Sequence, residues 1–325
     1  MSSHGKSAGN DVYVRKRFTL AALAATIFSA LALAVTAGAY VTGRSYVAQP
    51  YVTGFPASAT NHWGPIGIAF DRSDDLYVAD TVDGNIYRFP PGGGTASPAT
   101  RLTKTRVAGI ITGLAFDAAG HLYLARYNPG DVVQINPSNG RVIRVVARVR
   151  CATGVTVDPV SGSLFVSQDQ CGTTIWRITH YRHGPGTVKA YATEPGVDGL
   201  VFDNRGNLYA ESDGTVTQID GTHSATPGAV TDLAHVPYAD GVAVAPAARD
   251  GRPLVFANRN DGIVTRVDFS TRPASQTDIF TGGTRGDFAA VDSHGCLYVT
   301  QTADVVRLAP RAKRCNWEPT TPTAP

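Results

Sequence analysis

The stretch "GIAFDRSDDLYVAD", Gly67 to Asp80, is written again as "GLAFDAAGHLYLAR" from Gly113 and as "GLVFDNRGNLYAES" from Gly199. A unit this short cannot bury its own apolar faces, so repeated units must stack on one another. The opening apolar strand recurs near Gly67, Gly113, Gly154, Gly199, Gly241 and Phe288, at steps of 41 to 47 residues. Each copy is followed by a second strand that begins with Leu, as in "LYVAD" at Leu76, "LFVSQ" at Leu164 and "LYVTQ" at Leu297. A third strand follows in every unit and a fourth in most. Alternating apolar residues rich in Val, Ile, Tyr and Phe, cut by Gly, Asp, Asn and Pro, mean antiparallel strands. The pattern predicts an all-β chain, a six-bladed β-propeller with four antiparallel strands per blade. The sixth unit runs out after its third strand. "SYVAQPYVTGF", Ser45–Phe55, stands alone before the first and is expected to close the ring as the outer strand of the last blade.

Residues 1–39 read differently. An uncharged run from Phe18 to Tyr40 follows the basic "VRKR", and "AGA" at Ala37–Ala39 offers a small-residue cleavage site. This is a signal peptide or an N-terminal membrane anchor, and with either the body leaves the cytoplasm. The propeller is expected over 40–310, and 311–325 reads as a Pro/Thr-rich, disordered tail. The 29 Lys and Arg fall to 25 without Lys6, Arg15, Lys16 and Arg17, and the 26 Asp and Glu fall to 25 without Asp11. A body so balanced lacks the basic footprint that nucleic acid requires. The expected partner is a small molecule, glycan or peptide at the propeller mouth, with membrane contact only through an uncleaved N-terminal segment and the chain a monomer.

Strand direction sorts the polar residues. If the first strand of each blade runs from mouth to base, Asp71, Asp117, Asp158, Asp203 and Asp292 fall in the base turns as caps. His121 and His294 go with them, and "HYRH" at His180–His183 also lies at the base. The residues at the start of the six first strands, at the mouth, are Ile66, Thr112, Thr153, Asp198, Asp240 and Asp287. Three successive blades thus aim a carboxylate at the axis. The residues closing the second strands, Asp80, Arg126, Gln168, Ser212, Asn258 and Gln301, suit a solvated rim. Glu211 stands where the other blades place small residues, either partly buried between blades or turned outward by a bulge. His62, in "NHWGP", is the one histidine near the mouth.

Carboxylates about 6 Å apart at an effective dielectric of ~20 repel pairwise by roughly 3 kcal/mol. They can splay into water, retain a proton, or bind a hard cation. Asp198, Asp240 and Asp287 with Thr153 form an all-oxygen set, so the expected cofactor, if any, is a divalent cation with Ca²⁺ favoured. Asp198, Glu211 and His62 are the catalytic candidates. The cysteines allow two local bridges, Cys151–Cys171 at the mouth and Cys296–Cys315 at the base, which suits export.

"GPIGIAFDRSDDLYVADTVDGNIYRF" resembles an NHL-type repeat. "VDGLVFDNRGNLYAES" is similar to a stretch of the SMP-30/gluconolactonase-like (strictosidine-synthase-like) superfamily, whose members are six-bladed propellers. The resemblance implies a metal held by a first-blade Glu, middle-blade Asn side chains and an Asp in a "PDG"-type turn. Asp198 in "VDG" matches the last of these; Ile66, Thr112 and Thr153 depart from the rest. Two functions follow: a binding propeller, favoured because the ligand set is incomplete, or a metal-dependent lactone/ester hydrolase.

Overall fold

Each repeat unit folds as an antiparallel sheet standing edge-on to a common axis. The computed structural model describes residues 40–245, 253–311, 315 and 317, so the N-terminal signal or anchor segment lies outside the described residues. The innermost strands are Pro65–Phe70, Ile110–Phe116, Ala152–Val157, Val197–Phe202, Ala239–Ala245 and Ala289–Val291. Each packs against the next, and Ala289–Val291 returns to pack on Pro65–Phe70, so six sheets close a ring. No helix occurs among the described residues.

Every sheet is clamped between two others, so both of its faces must be apolar. Leu76–Asp80 is buried along its whole length. Tyr77 packs towards Leu122 of the second blade, whereas Val78 packs towards Tyr298 of the sixth. Alternate residues of one strand therefore serve two different interfaces, and this places the core between the blades.

The narrow axis imposes a second requirement. Near the mouth, backbones of successive innermost strands touch, and the repeat answers with glycine. A Cβ on Gly67 would lie 2.1 Å from the Thr112 carbonyl oxygen, one on Gly154 2.4 Å from that of Asp198, and one on Gly241 2.4 Å from that of Asp287. At the same level the ladder between first and second strands slips in five blades, at Pro65/Gly67, Ile111/Leu114, Ala152/Val155, Val197/Leu200 and Ala239/Gly241. The extra residue of a bulge is re-aimed away from the sheet face. Ile66, Thr112, Thr153, Asp198 and Asp240 all sit in these slips.

At the base, Asp71, Asp117, Asp158, Asp203 and Asp292 each accept hydrogen bonds from backbone N–H groups of their own turns; Asp203 Oδ1, for example, takes Arg205 N at 2.9 Å and Asn207 N at 2.8 Å. Tyr123 and Tyr298 donate to the second oxygens of Asp117 and Asp292. His180 and His183 are exposed.

Tyr46–Thr53 lies antiparallel to Val305–Pro310, with Tyr46 opposite Pro310 and Val52 opposite Val305. The first blade keeps three strands in its sheet, and its outer position is reduced to an isolated bridge between Tyr87 and Arg101. Both disulfides form as the sequence suggests, Cys151–Cys171 and Cys296–Cys315. Packing continues to Trp317, beyond the end of the last strand. It is 5% exposed, tilts onto Phe256 and donates its Nε1–H to the Gly295 carbonyl at 2.7 Å.

Gly67→Ala isolates the axial constraint, because Gly67 needs space and not an unusual φ. Its cost is expected to exceed about 2 kcal/mol, the range of overpacking against immovable backbone. Gly184→Ala, where a Cβ meets nothing within 4 Å, should stay within about 0.5 kcal/mol. Equal denaturant midpoints for the two variants would contradict the axial packing described.

Candidate site at the propeller mouth

Four of the bulged residues, Ile66, Thr112, Thr153 and Asp198, line a cavity of about 170 Å³ at the mouth. One wall, from the first two blades, carries Trp63, Ile66, Ile110 and Tyr127; the opposite wall carries Asp169, Gln170, Asp198, Arg285 and Asp287. Thr81, Thr112 and Thr153 complete the lining. Their hydroxyls are directed into the protein: Thr81 donates to Ile111 O at 2.6 Å and Thr153 to Cys151 O at 3.0 Å. The Cys151–Cys171 bridge ties the start of the third blade's inner strand to the loop that presents Asp169 and Gln170.

The acidic arc is real and it has a counter-ion that the repeat pattern does not reveal. Arg285 Nη2 lies 3.0 Å from Asp240 Oδ2 and 2.7 Å from Asp287 Oδ1. Burial, followed by the charge of Asp240, holds the Asp198 carboxyl well above the usual carboxylate range. Asp287 is pushed the same way, first by burial and then by Asp240, with Arg285 opposing. Burial and the nearby Asp240 also raise Asp169 to about 6. Two buried polar atoms on residues lining the cavity, Asp198 Oδ1 and Arg285 Nη1, have no partner among the described residues.

Glu211 takes the inward alternative. It stands opposite the slip that carries Asp198 and Gly199, is 3% exposed, and accepts the Gly214 N–H at 3.0 Å. Burial raises its pKa to about 9, against the Gly214 hydrogen bond and with help from Asp240 and Asp169. His62 is exposed at φ 56° in the loop before the first blade. It is outside the cavity lining, where its neighbour Trp63 stands instead.

The rim requires a correction. Asp80, Arg126, Gln168, Ser212, Asn258 and Gln301 are buried, not solvated. Where the second strands end, the blades are still in contact, so these side chains bond to loop backbone or to neighbouring side chains. Arg126 makes a two-pronged pair with Asp131 at 2.8 Å on both arms. Asn258 Nδ2 donates to the carbonyls of Asp287, Phe288 and Thr300.

A divalent cation, as the resemblance implies, does not fit this donor set. Asp240 and Asp287 already face a guanidinium nitrogen, and the Thr153 hydroxyl is engaged with backbone. Among the described residues no group of three or more His, Cys, Asp or Glu side chains is arranged to hold a metal ion.

Glu211 gives a pH test. A carboxyl whose folded pKa is raised from about 4.5 to about 9 stabilises the fold fully below its unfolded pKa, and that contribution is lost as pH rises through the interval. Glu211→Gln keeps the acceptor for Gly214 and removes the charge. It is expected to stabilise the protein by upward of about 2 kcal/mol at pH 8 and by little at pH 4. A pH-independent difference in chemical denaturation would contradict a buried, protonated Glu211.

Residues 43–170 match the model of the SMP-30/Gluconolactonase/LRE-like region. Curated proteins provide no match to the chain. Among solved structures, a gluconolactonase from Xanthomonas campestris superposes with a TM-score of 0.59 at 15% identity, covering 84% of this chain and 98% of its own. Virginiamycin B lyase from Staphylococcus aureus reaches 0.55 at 14% identity, covering 81% and 99%. The PQQ-bound aldose sugar dehydrogenase of Streptomyces coelicolor reaches 0.56 at 14% identity, covering 82% and 99%. Identities this low carry the fold and not the chemistry. The chain is a six-bladed β-propeller whose residues 43–170 are similar to the SMP-30/Gluconolactonase/LRE-like region.

Proposed function

We propose that this chain is an exported propeller that binds a small organic molecule in its mouth cavity. The observation that carries the reading is the pairing of an aromatic wall, Trp63 and Tyr127, with Asp198 Oδ1 and Arg285 Nη1, both buried and without a partner among the described residues. Leaving such groups unmet costs about 1–3 kcal/mol each, which a ligand oxygen or hydroxyl recovers. With its carboxyl protonated, Asp198 can also donate. The cavity volume suits a compact ring better than a peptide or an extended glycan. Two disulfides and the basic-then-apolar N-terminal sequence support export.

A second reading, hydrolysis of a lactone or ester, draws on Asp198, whose carboxyl is pushed up by burial and by the charge of Asp240. A carboxyl whose pKa is raised by burial is a usable general acid.

The readings separate in one screen. Neutral monosaccharides, sugar lactones and small esters are tested for a rise in melting temperature and for turnover, at neutral pH. Binding without turnover supports the first reading, and turnover lost in Asp198→Asn supports the second. For a ligand that binds, Trp63→Ala and Asp198→Asn are each expected to weaken affinity about 10-fold, roughly 1.4 kcal/mol. A ligand whose affinity ignores both substitutions would place its site away from the mouth.

A further inference from the structure

We propose that Arg285 is a built-in cation, placed by the fold where the acidic arc would otherwise recruit a divalent metal. A single nitrogen, Nη2, lies within 3.0 Å of Asp240 and 2.7 Å of Asp287, carboxylates from two successive blades. A bound Ca²⁺ would bridge the same oxygens at a shorter 2.3–2.6 Å, about as a shared ligand pair does. One occupant excludes the other, by space and by charge.

The arginine is held there rather than resting there. Its Nε donates to Asn260 Oδ1 at 2.9 Å, and its backbone N–H donates to Thr302 Oγ1 at 3.2 Å. On either side, Thr284 N donates to Gln301 Oε1 at 2.6 Å and Gly286 N to Arg259 O at 3.1 Å. Gly286 is obligatory for this course of the loop, because a Cβ would fall 2.3 Å from Asn258 Oδ1. The buried rim residues Asn258 and Gln301 thereby acquire a purpose: they fix the loop that delivers the guanidinium. A guanidinium also differs from a metal in what it offers the cavity. It presents N–H donors of fixed direction and cannot lose its charge. This role does not depend on which ligand the cavity holds or on whether the site is catalytic.

The test uses the mature protein, with Ca²⁺ and Mn²⁺ as the only probes. In equilibrium dialysis the wild type is expected to bind neither ion at the mouth, and EDTA should leave its melting temperature unchanged. Arg285→Ala should lose stability in EDTA and acquire a site for about one Ca²⁺ per chain, with a Ca²⁺-dependent rise in melting temperature. Asp287→Asn added to Arg285→Ala should remove that rise. Arg285→Lys, which keeps a cation, should bind no Ca²⁺. Two results overturn the proposal: wild-type protein that binds Ca²⁺ or Mn²⁺ and loses it in Asp287→Asn, or a folded Arg285→Ala that binds neither ion. If Arg285→Ala does not fold, the wild-type dialysis decides alone, with a bound ion lost in Asp287→Asn counting against the proposal and no bound ion counting for it.

Discussion

Backbone contact at the axis is the constraint on which the rest depends. Six strands brought side by side around a narrow channel leave no room for side chains between them near the mouth. Glycine at 67, 113, 154, 199 and 241 is the response, and at each a Cβ would press on the following blade's backbone. The same crowding accompanies the ladder slips in five blades, and those slips turn one residue per blade out of its sheet. Fold and site are therefore one event. The glycine that permits closure stands beside the residue that faces the mouth.

What those residues are decides the electrostatics. Blades one to three contribute Ile66, Thr112 and Thr153, and blades four to six contribute Asp198, Asp240 and Asp287, so the inner-strand carboxylates gather on one side of the mouth, joined by Asp169 of the third blade. Carboxylates crowded away from water cannot all remain ionised at once. Two features answer the conflict: the guanidinium of Arg285 between Asp240 and Asp287, and the upward push of burial on the Asp198 carboxyl. Glu211, buried behind the Asp198 bulge, extends the same proton-rich region into the fourth blade.

Much of this was legible in the sequence, for identifiable reasons. Period and alternation gave six sheets, because a blade sandwiched between blades has no freedom in where its apolar residues fall. The turn aspartates were readable since Asx capping is local, and the cysteine pairs because each joins neighbouring elements. The acidic arc was visible from register alone. Arg285 was not, since it lies in the connection between the fifth and sixth blades, and only three-dimensional closure brings it to Asp240. Asp169 was missed for a similar reason, being placed by the Cys151–Cys171 bridge. The second-strand termini misled because polarity at a strand end reads as solvent, whereas here it satisfies buried loop backbone. Trp317 escaped notice in a Pro/Thr-rich segment, although its ring completes the packing beside Phe256.

Balance of the mouth's negative charge from within by Arg285 is open to direct test in a crystal structure of the protein grown in millimolar Mn²⁺, with anomalous data. Guanidinium density between Asp240 and Asp287 is expected, with no anomalous peak at the mouth. An anomalous peak bridging those carboxylates, with Arg285 displaced, would contradict it.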